Sequence, residues 1–342
     1  MRLGVFLSYS TAPAVAREAE RLGYAMALAP EGFKSDAMSV LGAVAASTGT
    51  IGLGTGVAQL AARTPVMAAL TAATLDALSG GRFHLGLGVS NAAVSEGWYG
   101  VPFAEPLQRV REYVEIVRLA LSREPVVYAG RHFRLPGAAG AMPARLDTPG
   151  ARQDIPIFLA AVGDASLRLT GEIADGWIGV FASPARIAAA IEQIEAGRSR
   201  RPGGRGSRFE VLPSVPVGIA DTVAEGADRV RDYFARYLGM GEATRNFYAR
   251  LFTSLGYGDA VAAIHERHRA GDMRAAAAAV PVELMDEVSL IGPLQRVANR
   301  LGEYRKAGVT TLGATVLARG EGEQRATVRA LADAWRRSGV GD

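Results

Sequence analysis

The sequence of 342 residues contains no cysteine, and only four of its residues are histidine. Disulfide bonds, thiolate nucleophiles and cysteine-ligated zinc are therefore excluded. Only His265 and His268 are close enough, on one helical segment, to bind the same metal ion. They lie in an arginine-rich segment that is typical of a solvated surface, so we predict no metal site.

Long apolar runs are also missing, since none approaches the roughly 20 residues that span a bilayer. The N-terminus lacks the pattern of a secretory leader, so we expect a soluble, unprocessed, cytoplasmic protein. The net charge is only +4. Basic residues cluster in residues 198–208, a stretch rich in glycine without interleaved aromatic residues. That composition indicates a solvated loop, and we expect neither a membrane nor a nucleic-acid partner.

The sequence does contain a regular alternation of short apolar runs with longer segments of helical periodicity, which is typical of parallel βα units. Predicted strands cover residues 2–9, 25–30, 51–58, 82–90, 155–162, 176–182, 209–220 and 311–317. Predicted helices cover residues 13–22, 36–46, 65–78, 107–121, 165–173, 184–196, 222–237 and 323–337. Eight such units close into a (β/α)8 TIM barrel, whereas doubly wound sheets usually have about five to seven strands. We therefore predict one α/β barrel domain over residues 1–342.

Two connections are longer than a βα unit requires. They are residues 97–154, after the fourth predicted strand, and residues 238–309, before the eighth. Each carries helical patterns of its own. We predict that both are helical insertions at the barrel rim, which either cover the active site or make a subunit contact.

The carboxyl ends of the strands form the active face of a TIM barrel, and here they are poor in catalytic side chains. None of these ends presents a histidine, and Ser8, Ser10 and Ser90 have no histidine partner that the sequence suggests. A nucleophilic triad is therefore unsupported. Glycines are abundant instead, although no dinucleotide-binding or Walker pattern is present. Such a face is typical of a cofactor that brings its own reactivity.

The glycines fall into two groups by their position. Gly52, Gly54 and Gly86 lie inside predicted strands, where close packing or a bulge explains them. Gly56 ends the third strand, so its backbone would lie beneath a planar ligand at the barrel mouth.

Two successive strand-to-helix junctions, in residues 160–164 and 174–181, offer small side chains and free amides. Amides at a helix N-terminus attract anions, so a phosphate cradle is one interpretation and an ordinary tight turn is the other.

Aromatic residues after the fourth strand are candidates for a substrate pocket. Trp98 and Tyr99 either wall such a pocket or fill the core, and Phe247 and Tyr248 in the second insertion have the same two alternatives. Arg63 binds either a phosphate or a neighbouring carboxylate, and we favour the carboxylate.

Several segments of the sequence are familiar from one family. They include TGVAQLAARTPVMAALTAATLDALSGGRFHLGLGVS, EGWYG, DIPIFLAAVG, EIADGWIG, AAAAAVPVELMDEVSLIGP and YRKAGVTTL. Together they resemble the bacterial luciferase-like monooxygenase superfamily, and within it the coenzyme F-420-dependent branch that includes methylenetetrahydromethanopterin reductase. The resemblance implies a TIM-barrel oxidoreductase that forms a homodimer, acts on a small molecule and holds the deazaflavin F-420, with FMN as the alternative.

The resemblance also implies roles for individual residues. Gly56 and Val57 match a non-prolyl cis peptide that supports the cofactor ring from behind, and Glu31 lies beside that ring. Ser90 and Asn91 also belong to the implied cofactor site. The segments implied to bind the cofactor phosphate and tail contain Ala160, Ala161, Val162, Gly163, Gly176 and Gly179.

The sequence departs from the branch in two places that matter for chemistry. Lys34 stands in a stretch that is often small and glycine-containing, and it pairs with a phosphate, a substrate carboxylate or solvent. Sugar-phosphate dehydrogenases of the branch use a histidine after strand two and an acid after strand four. Here Glu31 and Asn91 stand in those regions, so that proton-transfer scheme should not be carried over.

We hypothesise hydride transfer between C5 of the deazaflavin and a C=C, C=N or C=O group. Glu31 is the first candidate for a general acid or base because it is the acid at a strand end against the ring, and a salt bridge is its structural alternative. Two other functions stay open. One is an FMN-dependent monooxygenase supplied by a partner reductase, and the other is a flavin-binding barrel without catalysis.

Overall fold

The computed structural model describes residues 1–201 and 208–341, and in them eight parallel strands close into a barrel. The strands are β1 (Arg2–Phe6), β2 (Met26–Ala29), β3 (Gly52–Thr55), β4 (Phe83–Gly88), β5 (Ile157–Ala160), β6 (Gly176–Val180), β7 (Glu210–Ile219) and β8 (Thr311–Val316). Each pairs in parallel with the next, and β8 pairs with β1. The predicted TIM barrel is confirmed. Part of the predicted basic loop, residues 202–207, lies outside the described residues.

Seven of the eight predicted helices begin and end close to the predicted positions, and the described residues contain further helices whose bounds were not predicted. The helices are α1 (Ala12–Arg21), α2 (Ala37–Ser47), α3 (Pro65–Leu78), α4 (Ala92–Gly97), α5 (Pro106–Leu121), α6 (Asp164–Ile173), α7 (Pro184–Arg198), α8 (Val223–Asp228), α9 (Arg231–Gly239), α10 (Phe247–Phe252), α11 (Gly258–Arg269), α12 (Met273–Ala278), α13 (Val282–Glu287), α14 (Leu294–Lys306) and α15 (Glu321–Ser338). Helix α3 illustrates the physical reason. Thr64 caps its start through the side chain and Pro65 occupies its first turn, and both signals are local in the sequence.

One helix of the outer ring differs from the prediction. The segment predicted as a single helix over residues 222–237 divides into α8 and α9, and neither fills the ring position after β7. That position belongs to α14, which packs against α7 and α15. The periodicity identified helical residues correctly, but it carried no information about which helix returns to the barrel wall.

Both predicted insertions are present, but the second covers residues 223–287 and not the predicted 238–309, because α8 and α9 belong to it and α14 belongs to the barrel wall. After α5, Tyr128–Ala129 pairs with Arg134–Leu135 in a short hairpin. Between β7 and α14, helices α8 to α13 form a layer that we call the cap. The cap has its own apolar core, and Phe181 at the end of β6 lies within it against Phe234 and Phe252.

The main core lies between the barrel and its outer helices. A smaller cluster fills the barrel interior, and it contains Phe6, Met26, Leu28, Phe158, Ile178 and Leu212, with Val57 packed against it. This cluster closes the barrel beneath its carboxyl end, which leaves space only above it. Across the described ranges, no helix combines the length and apolar character that crossing a membrane requires.

Candidate active site

A cavity of about 1330 Å³ opens at the carboxyl end of the barrel. Its barrel side is formed by the ends of all eight strands, and its other side is formed by α8, α9 and α10 of the cap. Phe6, Val57 and Ile178 belong both to its lining and to the barrel interior cluster, so they form its floor. The cavity is large enough for a cofactor and a substrate together.

The wall between β3 and β4 is made by backbone. Gly54 pairs with His84 and Ala58 pairs with Leu87, so four steps along one chain face three along the other. One extra residue is therefore accommodated in a bulge. Within this bulge the peptide bond between Gly56 and Val57 is cis, as the family resemblance implied.

At the bulge, hydrogen bonds of the Thr55 side chain take the place of the backbone hydrogen bonds that are interrupted between β3 and β4. Its hydroxyl donates to the carbonyl oxygen of Gly86 at 2.6 Å and accepts from the amide of the same residue at 2.8 Å. A Cβ at Gly86 would lie 2.0 Å from the Thr55 carbonyl oxygen, and one at Gly88 would lie 2.7 Å from Cγ2 of Val57. The predicted packing role of Gly86 is confirmed, because a side chain there would separate the two strands.

The structure supports the structural alternative for Glu31, which is a salt bridge. Its carboxylate accepts two hydrogen bonds from Arg63, at 2.8 and 2.6 Å, and a third from the Gln59 amide at 2.8 Å. The side chain is only 2% exposed. Both oxygens therefore hold the β2 and β3 ends together, which is a positioning role, and a role of Glu31 as general acid or base stays a prediction.

Arg63 is the other half of this pair, and its predicted carboxylate partner is Glu31. Burial alone would lower the pKa of Arg63, but the hydrogen bonds and negative charge of Glu31 raise it above its ordinary value. The phenol of Tyr113 donates to the Arg63 carbonyl oxygen at 3.1 Å and fixes the chain from below. The pair is thus a neutral, preorganised support beside the bulge.

The β5 end supplies the predicted anion cradle in part. Ala160 lines the cavity, whereas the buried Ala161 uses its carbonyl oxygen to accept from the Trp177 indole at 2.8 Å. Val162 is half-buried against the cap core. Gly163 is exposed at the start of α6, where no side chain caps the amides. The open amides are therefore at residues 163–165, one turn beyond the cavity lining.

Two predicted cofactor glycines lie elsewhere. Gly176 is the first residue of β6 and thus sits at the opposite end of the barrel, packed between Phe158 and Glu210. Gly179 is buried beneath the Trp177 ring, 2.7 Å from where its Cβ would be. Neither lines the cavity, so the structure gives no support to the assignment of either glycine to cofactor binding. Both glycines are required by packing.

The β4 end carries a residue with an unusual backbone. Ser90 has φ of 59°, in the left-handed region that side chains other than glycine and asparagine rarely adopt. The following residue, Asn91, caps α4 by accepting from the Val94 amide at 3.0 Å and reaches the Met240 sulfur at 3.9 Å. Ser90 and Asn91 both line the cavity as predicted, and Asn91 also joins the barrel to the cap.

The predicted substrate-pocket aromatics lie at different distances from the cavity. Phe247 and Tyr248 line it. Trp98 does not; it is 61% exposed and packs edge-on against Phe33, whose ring does line the mouth, at 5.3 Å. Tyr99 lies beside the Glu31 and Arg63 pair, where burial and the charge of Glu31 raise its pKa. Trp98 and Tyr99 therefore support the wall from outside, and neither faces the cavity.

Sequence reasoning missed the tyrosines of the cap. Tyr233 and Tyr237 line the cavity, and they stand one helical turn apart on α9. That spacing placed them on one face of the predicted helix. No local signal showed which way the face points, because this depends on how α9 docks against Phe181.

Charged side chains of the cavity concentrate at its exposed rim. They are Lys34, Asp228, Arg229, Asp232, Arg236, Arg319 and Glu323. Below the rim, the charged residue of the described lining is Glu31, which is paired with Arg63 behind the lining. In residues 1–201 and 208–341, no three histidine, aspartate or glutamate side chains are grouped so as to hold a metal ion. The lower cavity thus presents backbone, apolar groups, hydroxyls and the side-chain amides of Gln59, Asn91 and Asn246.

Comparison with known proteins agrees with the barrel fold. The profile of a family described as luciferase-like monooxygenase matches residues 4–311. The chain belongs to this family.

Relatives and solved structures extend the assignment of this luciferase-like chain. It is 39% identical to a Mycobacterium tuberculosis protein provisionally named a coenzyme F-420-dependent oxidoreductase, over 97% of this chain and 99% of the relative. It is 28% identical to the 5,10-methylenetetrahydromethanopterin reductase of Archaeoglobus fulgidus, over 80% and 79%. The coenzyme F-420-dependent tetrahydromethanopterin reductase structure from Methanopyrus kandleri has a TM-score of 0.81 at 23% identity and covers 97% of each chain, which shows a shared fold.

This luciferase-like chain is therefore an enzyme, and it is a deazaflavin- or flavin-dependent oxidoreductase. The alternative of a barrel without catalysis is dropped.

Proposed function

We propose that this enzyme binds coenzyme F-420 and transfers hydride between C5 of the deazaflavin and an unsaturated carbon of a small organic molecule. The observation that carries the proposal is the backbone bulge at Gly56 and Val57, which forms a side-chain-poor wall of the cavity. A planar ring lies best against such a wall. The similarity to the mycobacterial protein over nearly the whole chain favours F-420 over FMN.

The residues of the cavity fit a ring with a phosphate-bearing tail. Gly56 and Val57 would support the ring, and Ser90 with Asn91 would border it. The uncapped amides at the start of α6 would donate hydrogen bonds to the phosphate. The space beside Gly163 is open, since a Cβ there would meet nothing within 4 Å. Arg186 adds positive charge nearby, although Asp164 in the first helical turn offsets part of it.

When bound, the deazaflavin supplies hydride at C5 and reacts poorly with oxygen, because carbon replaces the flavin N5. The chain's own contribution is to hold and orient. The Glu31 and Arg63 pair fixes the loop after β2 to the bulge, and the barrel interior cluster excludes water from below.

The cofactor can be identified by titrating the purified protein with F-420 and, separately, with FMN. Trp98 at the mouth and Trp177 behind the β5 end report through their fluorescence. We expect saturable quenching by F-420 at far lower concentration than by FMN. Tight binding of FMN alone would overturn the proposal.

An FMN-dependent monooxygenase remains the second candidate, because the family profile itself is described by that activity. Such an enzyme would take reduced flavin from a partner reductase. Oxygen uptake by the protein with chemically reduced FMN, compared with protein-free FMN, distinguishes the two. Substrate-dependent uptake would favour the monooxygenase.

We also propose that the enzyme is a homodimer joined through α2 and α3. Helix α2 contains no charged residue, and the single one of α3, Asp76, is fully buried. Met67, Leu70 and Leu78 of α3 are 51%, 40% and 69% exposed. An uncharged face with three exposed apolar side chains is typical of a subunit interface.

Light scattering on the eluting protein tests the dimer. The double substitution Leu70→Glu with Leu78→Glu should yield a monomer, since it would bring four carboxylates into one interface. Met273→Glu is the matched control, because Met273 is similarly exposed, at 48%, but lies on the cap. Equal dimer in all three proteins would place the contact elsewhere.

A further inference from the structure

The cap contributes a connected group of hydroxyls to the cavity. The rings of Tyr233 and Tyr237 lie 4.7 Å apart, and both line the cavity. The Tyr233 hydroxyl interacts with those of Tyr237 and Ser214. Ser214 in turn lies 2.7 Å from the Thr315 hydroxyl, oxygen to oxygen. Four hydroxyls therefore connect the inner face of α9 to strands β7 and β8 of the barrel.

Other acidic or basic groups are badly placed to deliver a proton inside the cavity. Both oxygens of Glu31 are occupied by Arg63 and the Gln59 amide. The side chains of Asp228 and Asp232 are 70% and 83% exposed at the rim. Below the rim, the described lining thus offers hydroxyls as the proton donors.

The order of the hydroxyls decides which of them faces a ligand. Tyr233 stands between Ser214 and Tyr237, so Tyr237 ends the chain. Burial, followed by the neighbouring phenol of Tyr237, raises the pKa of Tyr233 well above its ordinary value. Tyr233 therefore stays neutral and holds Tyr237 in place by hydrogen bonding.

The walls around these hydroxyls favour a particular ligand class. Tyr9, Phe33, Met240 and Tyr248 line the same cavity, and its charges lie at the rim. Aromatic walls with a few hydroxyls suit a planar, weakly polar molecule better than a sugar phosphate, which would require cations at depth.

We propose that the enzyme reduces planar aromatic or conjugated carbonyl compounds, and that the Tyr237 hydroxyl, positioned by Tyr233, binds the carbonyl oxygen and gives it a proton. This inference rests on the proposed hydride-transfer function. The carbonyl carbon gains a hydride and becomes the carbinol carbon, while the C=O π pair moves to oxygen. The O–H bond of Tyr237 breaks, a new O–H bond forms on the substrate, and water from the open mouth reprotonates the phenolate. The reduced deazaflavin is the reductant and is oxidised by two electrons.

Binding of 2-acetylnaphthalene labelled with carbon-13 at the carbonyl tests the contact without turnover. Infrared difference spectra would be recorded on the protein saturated with oxidised F-420. In the wild type, the carbonyl stretch should lie at lower wavenumber than in an apolar solvent, because the oxygen accepts a hydrogen bond. Tyr237→Phe should remove this shift and weaken binding roughly two- to tenfold, the usual effect of losing one hydrogen bond. Tyr233→Phe should broaden the band and reduce the shift.

Tyr304→Phe is the matched control, because the Tyr304 hydroxyl is buried in α14, has no hydrogen-bond partner and lies outside the cavity lining. It should keep the wild-type spectrum and affinity. Ser214→Ala provides a second perturbation of the chain that leaves every aromatic ring in place.

Three results would overturn the inference: no binding of the ketone to the wild type, its displacement by F-420, or an unshifted carbonyl band that is equal in wild type and Tyr237→Phe. The F-420 titration of the same proteins separates this failure from failure of the proposed function. If F-420 binds and the ketone contact is absent, only the inference fails. If the ketone shows the Tyr237-dependent shift but F-420 does not bind, the cofactor proposal fails.

Discussion

The two sides of the cavity are built in opposite ways. The β3–β4 side presents backbone, with Gly56, Gly86 and Gly88 allowing the chains to approach closely. The cap side presents side chains, among them Tyr233 and Tyr237. Backbone walls require particular small residues at fixed positions in consecutive strands, so they leave a local pattern in the sequence. A side-chain wall depends on how a separate layer docks, and many residue types satisfy it.

The largest expected effect comes from breaking the backbone side. In Gly86→Ala the new Cβ would lie 2.0 Å from the Thr55 carbonyl oxygen, which is backbone and cannot rotate away. We expect about 4–5 kcal/mol lower free energy of unfolding and loss of F-420 quenching. Urea unfolding followed by circular dichroism measures the free energy of unfolding.

Gly302→Ala in α14 is the control, because a Cβ there meets nothing within 4 Å, and it should instead be stabilising by about 0.5–1 kcal/mol. A Gly86→Ala protein of wild-type stability would show that the strands can separate freely.

The cap side should break more locally. Phe181 is fully buried and its ring contacts Tyr233, Phe234, Tyr237, Tyr248 and Phe252. Phe181→Ala should cost about 3–4 kcal/mol. We expect the loss to appear as faster amide exchange in residues 223–288, with the barrel strands still protected. Uniformly faster exchange over the whole chain would mean that the cap and barrel unfold together, and the contrast between the two sides would then be one of composition alone.

The same contrast explains what could be predicted from the sequence. Alternating strands and helices predicted the barrel, and the capped start of α3 was predicted to the residue, since these signals are local. The Gly56–Val57 peptide followed from the family resemblance. Gly176 was included in the cofactor segments by resemblance although it is the first residue of β6, because a resemblance identifies a segment and not the direction in which each of its residues faces. The facing of Tyr233 and Tyr237 was inaccessible, because α9 packs chiefly against α11 and α12, which are distant from it in sequence.

Glu31 lies between residues that local sequence signals locate and residues that they do not. Its substitution has the smallest expected effect on stability and gives the sharpest test. The position of Glu31 at the end of β2 was readable, but its partner lies 32 residues further on and is brought near by the pairing of β2 with β3. Glu31→Gln keeps the shape and leaves the buried Arg63 without a counter-charge. We expect about 2–3 kcal/mol lower free energy of unfolding, with weaker F-420 binding as the β2 loop loosens. Glu303→Gln, which removes an exposed partner of Arg300, should change stability by less than about 1 kcal/mol.

A double-mutant cycle decides the role of Glu31. If the carboxylate acts through Arg63, then Glu31→Gln with Arg63→Gln should lose clearly less stability than the two single substitutions added together, because a neutral pair can hydrogen-bond across the bulge. A catalytic acid predicts a different result, namely unchanged unfolding in Glu31→Gln and a turnover that the second substitution does not restore. Because both oxygens of Glu31 already accept hydrogen bonds from the β3 side, the geometry favours the stability effect, and the backbone wall then depends on one buried ion pair for its register.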